Sequence, residues 1–305
     1  MTADMTIAVV GSASRDVVRD DPRGWRLGGG VAYGGMTLAR LGLPTRVLVG
    51  VDALAAGAHE LHSLREAGAD VRLVRLGRTP IFENIETPDG RIQGCLEPGE
   101  PLPVEALPDD WRSAGAWLLA PVADELPGAW AAVPGPGTLV AFGWQGILRD
   151  LPAGGQVRRR EPAPSPFLHR ADIVGVSRHD VDPATPLEGL WHFLAPGAAL
   201  LVTEGPLGGW EIRLAGGEPA GRRRYPAIPT TLDVDPTGAG DVFLAAYLAA
   251  RLDDSMQGPE HEGGGLRLAA AAASLNVEGL GLAGVPTLAA VSRRIASTVH
   301  GPAAG

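Results

Sequence analysis

Residues 235–243 read Asp-Pro-Thr-Gly-Ala-Gly-Asp-Val-Phe, and the apolar run LAAYLAAR follows directly. The two glycines allow a tight turn that brings backbone N–H groups close to a ligand. The run after them predicts a helix, so those N–H groups lie at a helix N-terminus, where free donors and the helix dipole bind anions. The stretch therefore predicts an anion-binding loop with a carboxylate, Asp241, beside it.

The carboxylate of Asp241 has two interpretations. An isolated aspartate at the start of a helix is commonly a cap for backbone N–H groups. The alternative is a general base next to an anion hole, which is the arrangement that phosphoryl transfer to a hydroxyl needs. That chemistry does not require a lysine.

The charged residues of the 305-residue chain exclude several classes of protein. All 26 Lys+Arg residues are arginine, whereas pyridoxal enzymes, Walker A loops and protein kinases each need a lysine. The net charge of −9 argues against sequence-independent binding of nucleic acid. The single Cys95 excludes an intramolecular disulfide and a zinc site built on several cysteines.

The N-terminal sequence, MTADMTIAVVGSAS, has no basic region and no long apolar core. No window approaches the roughly 20 apolar residues of a membrane span. We therefore expect a cytoplasmic protein whose partners include neither nucleic acid nor a membrane.

Strands and helices alternate along most of the chain, which predicts a parallel sheet covered by helices on both faces. We expect one α/β domain over residues 1–305. The predicted strands are Thr6–Gly11, Arg46–Val51, Asp70–Arg75, Ala116–Ala120, Thr138–Phe142, Ala171–Val176 and Ala199–Thr203. The predicted helices are Val31–Leu41, Leu54–Ala67, Val242–Leu252 and Leu266–Val277, and the predicted exposed connections are Leu151–Pro166 and Glu218–Thr230.

One segment breaks this alternation. Arg78–Glu86 and Arg91–Cys95 have the character of strands and are joined by Thr-Pro-Asp-Gly, a strong turn signal, so they predict a β-hairpin. A hairpin inserted into an α/β fold often covers a site. With Val17–Leu27 as its partner, it predicts a small lid built from about residues 14–28 and 78–98.

A second glycine-rich stretch, GGGVAYGG at residues 28–35, runs into LARLG at residues 38–42. On its own it is typical of a flexible loop before a helix. It does not satisfy GxGxxG, because Tyr33 occupies the third glycine position. The loop at Gly238 fails the same test because Phe243 occupies that position. A dinucleotide-dependent dehydrogenase is therefore a remote alternative.

Together the two stretches resemble the signatures of the ribokinase-like (PfkB) family of small-molecule kinases. DPTGAGDVF matches D-[TP]-[TN]-G-A-G-D-x-F, and GGGVAYGGMTLARLG resembles GG-x-x-x-N-x-A-x-x-LARLG. The resemblance covers essentially the whole chain. It implies a three-layer α/β/α fold with a central, mostly parallel sheet and a small β lid. It also implies ATP and Mg²⁺ as cofactors, a monovalent cation such as K⁺, a polyol substrate, and a monomer or homodimer.

The resemblance also assigns roles by position. Asp241 takes the proton of the substrate hydroxyl, and the loop N–H groups of Gly238, Ala239 and Gly240 form the anion hole. Asp180 organises Mg²⁺ through water. The implied substrate contacts are Asp16, Gly28, Gly29, Gly30, Tyr33, Asn84 and Gln145. The implied ATP contacts are Ser177, Thr203, Gly205, Gly208, Thr237, Asn276 and Gly279.

Departures from the family pattern leave alternatives open. Tyr33 replaces the family's asparagine, and with Asn84 and Gln145 this looks most like the branch that includes bacterial myo-inositol kinases. A nucleoside kinase of the same fold is the alternative, with Tyr33, Trp25 or Phe82 stacking on a base. A catalytically weak ligand sensor is another, because Ser177 and Asp180 stand where the family has N-x-x-E.

Overall fold

The computed structural model describes residues 5–87, 90–257 and 264–299. In these ranges the strands are β1 Ile7–Ser12, β2 Ser14–Val17, β3 Trp25–Gly28, β4 Thr45–Val51, β5 Asp70–Arg75, β6 Ile81–Thr87, β7 Gly90–Glu97, β8 Ala116–Leu119, β9 Leu139–Gly143, β10 Arg149–Asp150, β11 Gly155–Gln156, β12 Arg158–Arg159, β13 Ile173–Ser177, β14 Ala199–Thr203, β15 Gly209–Ala215 and β16 Glu218–Tyr225. The helices are α1 Gly30–Arg40, α2 His59–Glu66, α3 Pro166–Arg170, α4 Glu188–Trp191, α5 Ala239–Leu252, α6 Gly264–Val277 and α7 Leu288–Val299.

Nine strands form the central sheet, in the order β16-β15-β14-β13-β9-β8-β1-β4-β5. The seven strands from β14 to β5 pair in parallel, and β15 and β16 add an antiparallel edge. Layers of helices and turns cover both faces, so the predicted fold class is confirmed.

Strand β1 illustrates how the sequence builds the two layers. Successive side chains of a strand point to opposite faces. Ile7 and Val9 join a core that includes α1, α5 and α6, whereas Ala8 and Val10 join a core rich in tryptophan on the other face. Because both faces are buried, the strand is apolar throughout, as the sequence indicated.

Helix α5 is buried along almost its whole length, from Val242 to Ala250. It packs against α1 on one side and α6 on the other. Its alanines, and those of α6 at residues 269–272, are short enough to let the helix axes approach closely. This packing fixes the N-terminus of α5, and with it Asp241, relative to the sheet.

A second sheet of five strands has the order β11-β7-β6-β2-β3. We call it the lid. Its strands β2, β3, β6 and β7 come from the two segments that the sequence predicted for it. Its outer strand, β11, pairs Gly155 with Cys95 and lies in Leu151–Pro166, where the sequence predicted only an exposed connection. Two-residue strands have too few positions for an alternating pattern, so periodicity cannot reveal them.

Two other sequence predictions were wrong in part. Glu218–Tyr225, predicted as an exposed connection, is strand β16, whose run of arginines is typical of an edge strand protected by charge. The helix predicted over Leu54–Ala67 is instead a 3₁₀ turn, Ala55–Gly57, followed by α2. The chain is extended at Ala58, with φ −65° and ψ 134°, which separates the two. Within the described ranges, no helix is long and apolar enough to cross a membrane.

Candidate active site

A cleft of about 460 Å³ lies between the lid and the loop that precedes α5. It opens where β1 ends at Ser12 and the chain passes directly into lid strand β2. The carboxyl ends of parallel strands meet at this edge, which is where open α/β sheets bind ligands. The lining residues are Asp16, Val17, Val18, Arg19, Arg26, Leu27, Tyr33, Glu83, Asn84, Ile85, Val234, Asp235, Thr237, Leu280 and Gly281.

The loop before α5 turns at Gly238, which has left-handed backbone angles of φ 76° and ψ −2°. A Cβ at this position would overlap the ring of Tyr33, which lies directly against the glycine. Asp235 fixes the start of the loop by accepting the N–H of Thr237 at 3.0 Å and that of Gly281 at 3.3 Å. Glycine at 238 is therefore required both by the turn and by the neighbouring ring.

The N-terminus of α5 presents unpaired donors. Within the described residues, the N–H groups of Gly238, Gly240 and Asp241 have no acceptor, and Val242 makes the first helical bond, to the carbonyl of Gly238. Ala239 differs, because its N–H donates to the carbonyl of Pro236 at 3.2 Å. The unpaired N–H groups are thus those of Gly238, Gly240 and Asp241, whereas the resemblance implied Gly238, Ala239 and Gly240 as the anion hole.

The carboxyl group of Asp241 lies in the first turn of α5. Its pKa is raised to about 7, mainly by burial; the guanidinium of Arg149 lowers the pKa, and the nearby charges of Asp180 and Asp16 raise it. A pKa near neutrality is what a general base needs, because the group is then ionised and still able to accept a proton. A simple helix cap has no such requirement.

Asp16 projects from lid strand β2 into the same cleft. The hydroxyl of Ser14 donates to its Oδ1 at 2.9 Å. Burial raises the pKa of this carboxyl to about 6, although Ser14 and Arg149 favour its ionised form. A Cβ at Gly28 would overlap Oδ2 of Asp16, so glycine at this position leaves room for the carboxylate. The cleft therefore holds a second acidic group that can accept hydrogen bonds.

The other two glycines of the triplet bring α1 close to the strand ends. Gly29 precedes α1 with φ 97°, and a Cβ on it would lie 2.7 Å from the carbonyl oxygen of Ser12. At Gly30 a Cβ would lie 2.7 Å from Oδ1 of Asp241. The triplet thus touches strand β1 on one side and the carboxylate of α5 on the other.

Three aromatic residues were considered as stacking platforms for a nucleoside base. Tyr33 is 2% exposed and lies under Gly238, and Phe82 is 1% exposed and packs in the lid against Cys95. Trp25 pairs with Val17 in the lid, is not among the residues that line the cleft, and has Arg23 over its ring at 4.7 Å. The described structure offers none of these ring faces to the cleft.

Asn84 and Tyr33, two of the predicted substrate contacts, both line the cleft. Gln93 of β7 donates to Oδ1 of Asn84 at 3.1 Å, which orients the amide. Gln145 is placed differently, because its Nε2 donates to Oδ1 of Asp180 at 3.1 Å. Its contact in this structure is thus with the predicted metal-binding carboxylate.

Two of the predicted ATP contacts lie at the ends of two adjacent strands. Ser177 ends β13 and Thr203 ends β14, and the two are paired in register. After Thr203 the chain turns through Gly205, with φ 56°, and Gly208, with φ 85°. A Cβ at Gly208 would overlap the carbonyl oxygen of Tyr225, so this loop too depends on glycine.

The end of α6 holds the loop before α5 from the other side. Asn276 donates to the carbonyl of Thr237 at 3.0 Å, and the carbonyl of Val277 accepts the N–H groups of Val234 and Asp235. Asn276 is 1% exposed, and its Oδ1 has no partner among the described residues. A Cβ at Gly279 would lie 2.5 Å from Cα of Gly284, so the chain is tightly folded there.

Asp180 lies in a 3₁₀ turn, Arg178–Asp180, directly after β13. Its Oδ1 accepts from Gln145 and lies 3.5 Å from a guanidinium nitrogen of Arg149. Within the described ranges, no three His, Cys, Asp or Glu side chains lie close enough together to hold a metal ion by themselves. One carboxylate near the predicted ATP contacts still fits Mg²⁺ bound with a nucleotide, because Mg²⁺ keeps several waters and phosphate ligands.

Comparison with known proteins gives one family match. The model of the pfkB family carbohydrate kinases matches residues 185–288, which include the whole DPTGAGD loop. A search of curated protein sequences gives no significant match. The matched part of the chain is therefore similar to carbohydrate kinases of that family.

Solved structures show that the fold of this chain is shared over nearly its full length. A ribokinase from Arabidopsis thaliana, complexed with ribose and ATP, is 22% identical with a TM-score of 0.68, covering 96% of this chain and 99% of that one. A pyrophosphate-dependent kinase in the ribokinase family, complexed with a pyrophosphate analog and myo-inositol, is 20% identical with a TM-score of 0.72, covering 94% and 99%. A nucleoside kinase from Methanocaldococcus jannaschii is 17% identical with a TM-score of 0.66, covering 96% and 98%.

Sequence reasoning missed two charged residues. Arg149, in β10, reaches Asp180 and influences both Asp16 and Asp241. Glu125 is buried and accepts the N–H groups of Ser12, Val122 and Ala123 at 2.8–3.0 Å, which ties the ends of β1 and β8 together. The available signal was a charged residue shortly after a predicted strand, which is common in loops and therefore weak.

Proposed function

We propose that this protein transfers the γ-phosphoryl group of ATP to a hydroxyl of a small polyol, either a cyclitol such as myo-inositol or a sugar. One observation carries the proposal. The Asp241 carboxylate, with a pKa of about 7, lies beside the free N–H groups of Gly238 and Gly240 at a helix N-terminus. A base next to fixed donors for negative charge suits phosphoryl transfer to a hydroxyl.

In the proposed reaction the acceptor hydroxyl gives its proton to the Asp241 carboxylate as its oxygen attacks phosphorus. The new O–P bond forms while the bond from phosphorus to the leaving diphosphate breaks in line with it. The unpaired N–H groups of Gly238 and Gly240 donate to the oxygens of the transferring group. Burial, the largest cause of the raised pKa of Asp241, also strengthens these interactions by excluding water.

On the acceptor side, the carboxylate of Asp16 binds substrate hydroxyls. It lies on the lid, so substrate binding and lid closure are linked. Asn84 contributes an amide from the adjacent region of the lid and Tyr33 a hydroxyl from α1. These groups are short, polar and directional, which suits an acceptor with several hydroxyls. Closure of the lid limits hydrolysis of the donor by water.

On the donor side, Ser177 and Thr203 lie next to each other at the ends of β13 and β14, followed by the turn that contains Gly205 and Gly208. This edge suits a nucleotide phosphate chain because its turns bring backbone close to the ligand. Asp180 is the residue that would hold Mg²⁺ through water. When bound together with ATP, Mg²⁺ would supply positive charge that neutralises the phosphates.

A polyol acceptor is favoured over a nucleoside by the aromatic side chains. Tyr33 and Phe82 are buried, and Trp25 lies under Arg23 and is not among the residues that line the cleft. A base in the cleft would therefore lack the stacking partner that the nucleoside alternative needs. The structural similarity to a kinase complexed with myo-inositol makes that compound the first acceptor to test.

The decisive test is a panel of inositols, hexoses, pentoses and nucleosides, each incubated with Mg²⁺ and ATP. A parallel arm replaces ATP by pyrophosphate, because a structurally similar kinase uses that donor. The proposal predicts ADP formation that depends on a polyol, and the position of the new phosphate identifies the hydroxyl. Phosphorylation of nucleosides alone would reject the polyol acceptor, and turnover only with pyrophosphate would reject ATP as donor. Ligand binding without turnover would identify a sensor.

A further inference from the structure

Arg149 is a largely shielded cation near the carboxylates of the candidate site. It begins strand β10, directly after the 3₁₀ turn Trp144–Leu148 that follows central strand β9. Its side chain is 13% exposed, with its guanidinium carbon 6.0 Å from the centroid of the Phe82 ring. Arginine is mostly exposed in proteins, so one shielded to this extent needs its charge used or neutralised nearby.

The ion pair with Asp180 uses little of the hydrogen-bonding capacity of Arg149. A guanidinium nitrogen lies 3.5 Å from Oδ1 of Asp180, longer than the 2.7–2.9 Å typical of a charge-assisted hydrogen bond. The same oxygen already accepts a bond of 3.1 Å from Gln145. Guanidinium carries five N–H donors in a planar fork that matches phosphoryl oxygens. The ion pair therefore holds Arg149 in place without occupying its donors.

The negative charge of the site also favours a cation nearby. The carboxylates of Asp16, Asp180 and Asp241 interact electrostatically, and a phosphoryl donor brings more negative charge among them. Two arginines, Arg19 and Arg26, line the cleft itself. Arg26 lies 3.4 Å from Asp21, and the side chain of Arg19 is 89% exposed. The charge of Arg149, by contrast, acts on both Asp16 and Asp241.

We propose that Arg149 is a catalytic residue that donates hydrogen bonds to the non-bridging oxygens of the transferring phosphoryl group. This proposal rests on the proposed function. Arg149 leaves its long contact with Asp180 for the phosphoryl group, keeps its own proton throughout, and stabilises charge as the acceptor O–P bond forms. In a chain without lysine, it supplies the fixed positive charge that backbone N–H groups alone do not provide.

The test compares Arg149→Gln, Arg149→Lys and the control Arg158→Gln, which makes the same change at an exposed position of the neighbouring strand β12. Removal of one transition-state donor typically costs about 10²- to 10³-fold in kcat. We expect that loss for Arg149→Gln, a partial recovery for Arg149→Lys, and near-normal kcat for Arg158→Gln. The acceptor KM and the thermal unfolding midpoint should change little.

A purely structural role, in which Arg149 only neutralises Asp180, predicts a different result in a double-mutant cycle. In the Asp180→Asn background, that role predicts that Arg149→Gln leaves kcat unchanged. A contact with the phosphoryl group predicts instead that Arg149→Gln lowers kcat again. Inhibition by ADP with aluminium fluoride and the acceptor, which mimics the group in flight, should weaken in Arg149→Gln while ADP affinity stays similar.

The outcomes separate the two proposals. An active wild type whose Arg149→Gln variant keeps kcat within about fivefold, or loses it only when Asp180 is charged, overturns the role of Arg149 and leaves the kinase proposal intact. A wild type that turns over no acceptor with either donor overturns both.

Discussion

Gly30 and Asp241 are in contact across the site: a Cβ built on Gly30 would lie 2.7 Å from Oδ1 of the Asp241 carboxylate. Gly30 is the first residue of α1, and Asp241 lies in the first turn of α5. The two glycine-rich motifs, far apart in sequence, therefore meet at one point because α1 and α5 pack side by side with their N-termini at the same edge of the sheet.

This contact predicts that Gly30→Ala impairs catalysis rather than folding. The new methyl group would push the carboxylate away from its position, and a small displacement of a reacting group can cost about 10²-fold in rate. We expect kcat to fall at least tenfold while the free energy of unfolding changes little. Gly57→Ala is the matched control, because nothing lies within 4 Å of the Cβ built there. Equal kcat in both variants would contradict the role of the contact.

The conformation of Gly238 gives a prediction about stability. Gly238 and Gly137 share a φ of 76°, but only at Gly238 would a Cβ overlap a neighbour, the ring of Tyr33. A side chain at such a φ costs about 1–3 kcal/mol in either position. We expect Gly238→Ala to lower the free energy of unfolding by at least ~1 kcal/mol more than Gly137→Ala, measured by denaturant unfolding. Equal losses would mean that the ring moves aside freely.

The raised pKa values predict how the rate depends on pH. Asp241 must be ionised to accept a proton, and burial raises its pKa to about 7. Catalysis should therefore rise with pH through neutrality and fall about tenfold per unit below it. Below pH 6 the fall in kcat/KM should steepen, because Asp16 is also protonated there. A profile of kcat/KM that stays flat from pH 5.5 to 7.5 would be inconsistent with this assignment.

Asp16→Asn separates binding from chemistry. Hydrogen bonds to a charged group contribute about 1.5–3 kcal/mol, so their loss should raise the acceptor KM by roughly 10- to 100-fold. We expect a smaller effect on kcat, because the base and the anion hole remain. Asp20→Asn, at an exposed position of the same lid segment, is the control. An acceptor KM within threefold of wild type would exclude Asp16 as a substrate contact.

The sequence was sufficient for the fold and for the two motifs because each rests on local signals. Strand β1 is apolar over consecutive residues, and the DPTGAGD loop combines special backbone conformations with a helix start. The short strands β10, β11 and β12 carry no such signal, so the third segment of the lid was not foreseen. Strand β16 was not predicted as a strand, because its arginines are frequent in loops as well as on sheet edges.

The charged residues that sequence reasoning missed depend on tertiary structure. Glu125 accepts the N–H of Ser12, which is 113 residues away in the chain. Arg149 interacts with the carboxylates of Asp16, Asp180 and Asp241, which lie on three other elements. Conversely, Gln145 was predicted beside the substrate and lies on Asp180, because a residue that follows a strand can turn to either side of the edge.

The most direct test of the central claim is the turnover of Asp241→Asn with the acceptor and donor identified by the panel. Asparagine keeps the shape of the side chain and cannot accept the proton, so kcat should fall about 10²- to 10⁴-fold. Burial raises the pKa of Asp241 above its unfolded value, so ionisation costs stability at pH 8. The variant should thus unfold at an equal or higher temperature there, which excludes misfolding as the cause. A stable Asp241→Asn variant with near-normal kcat would contradict the assignment of Asp241 as the base.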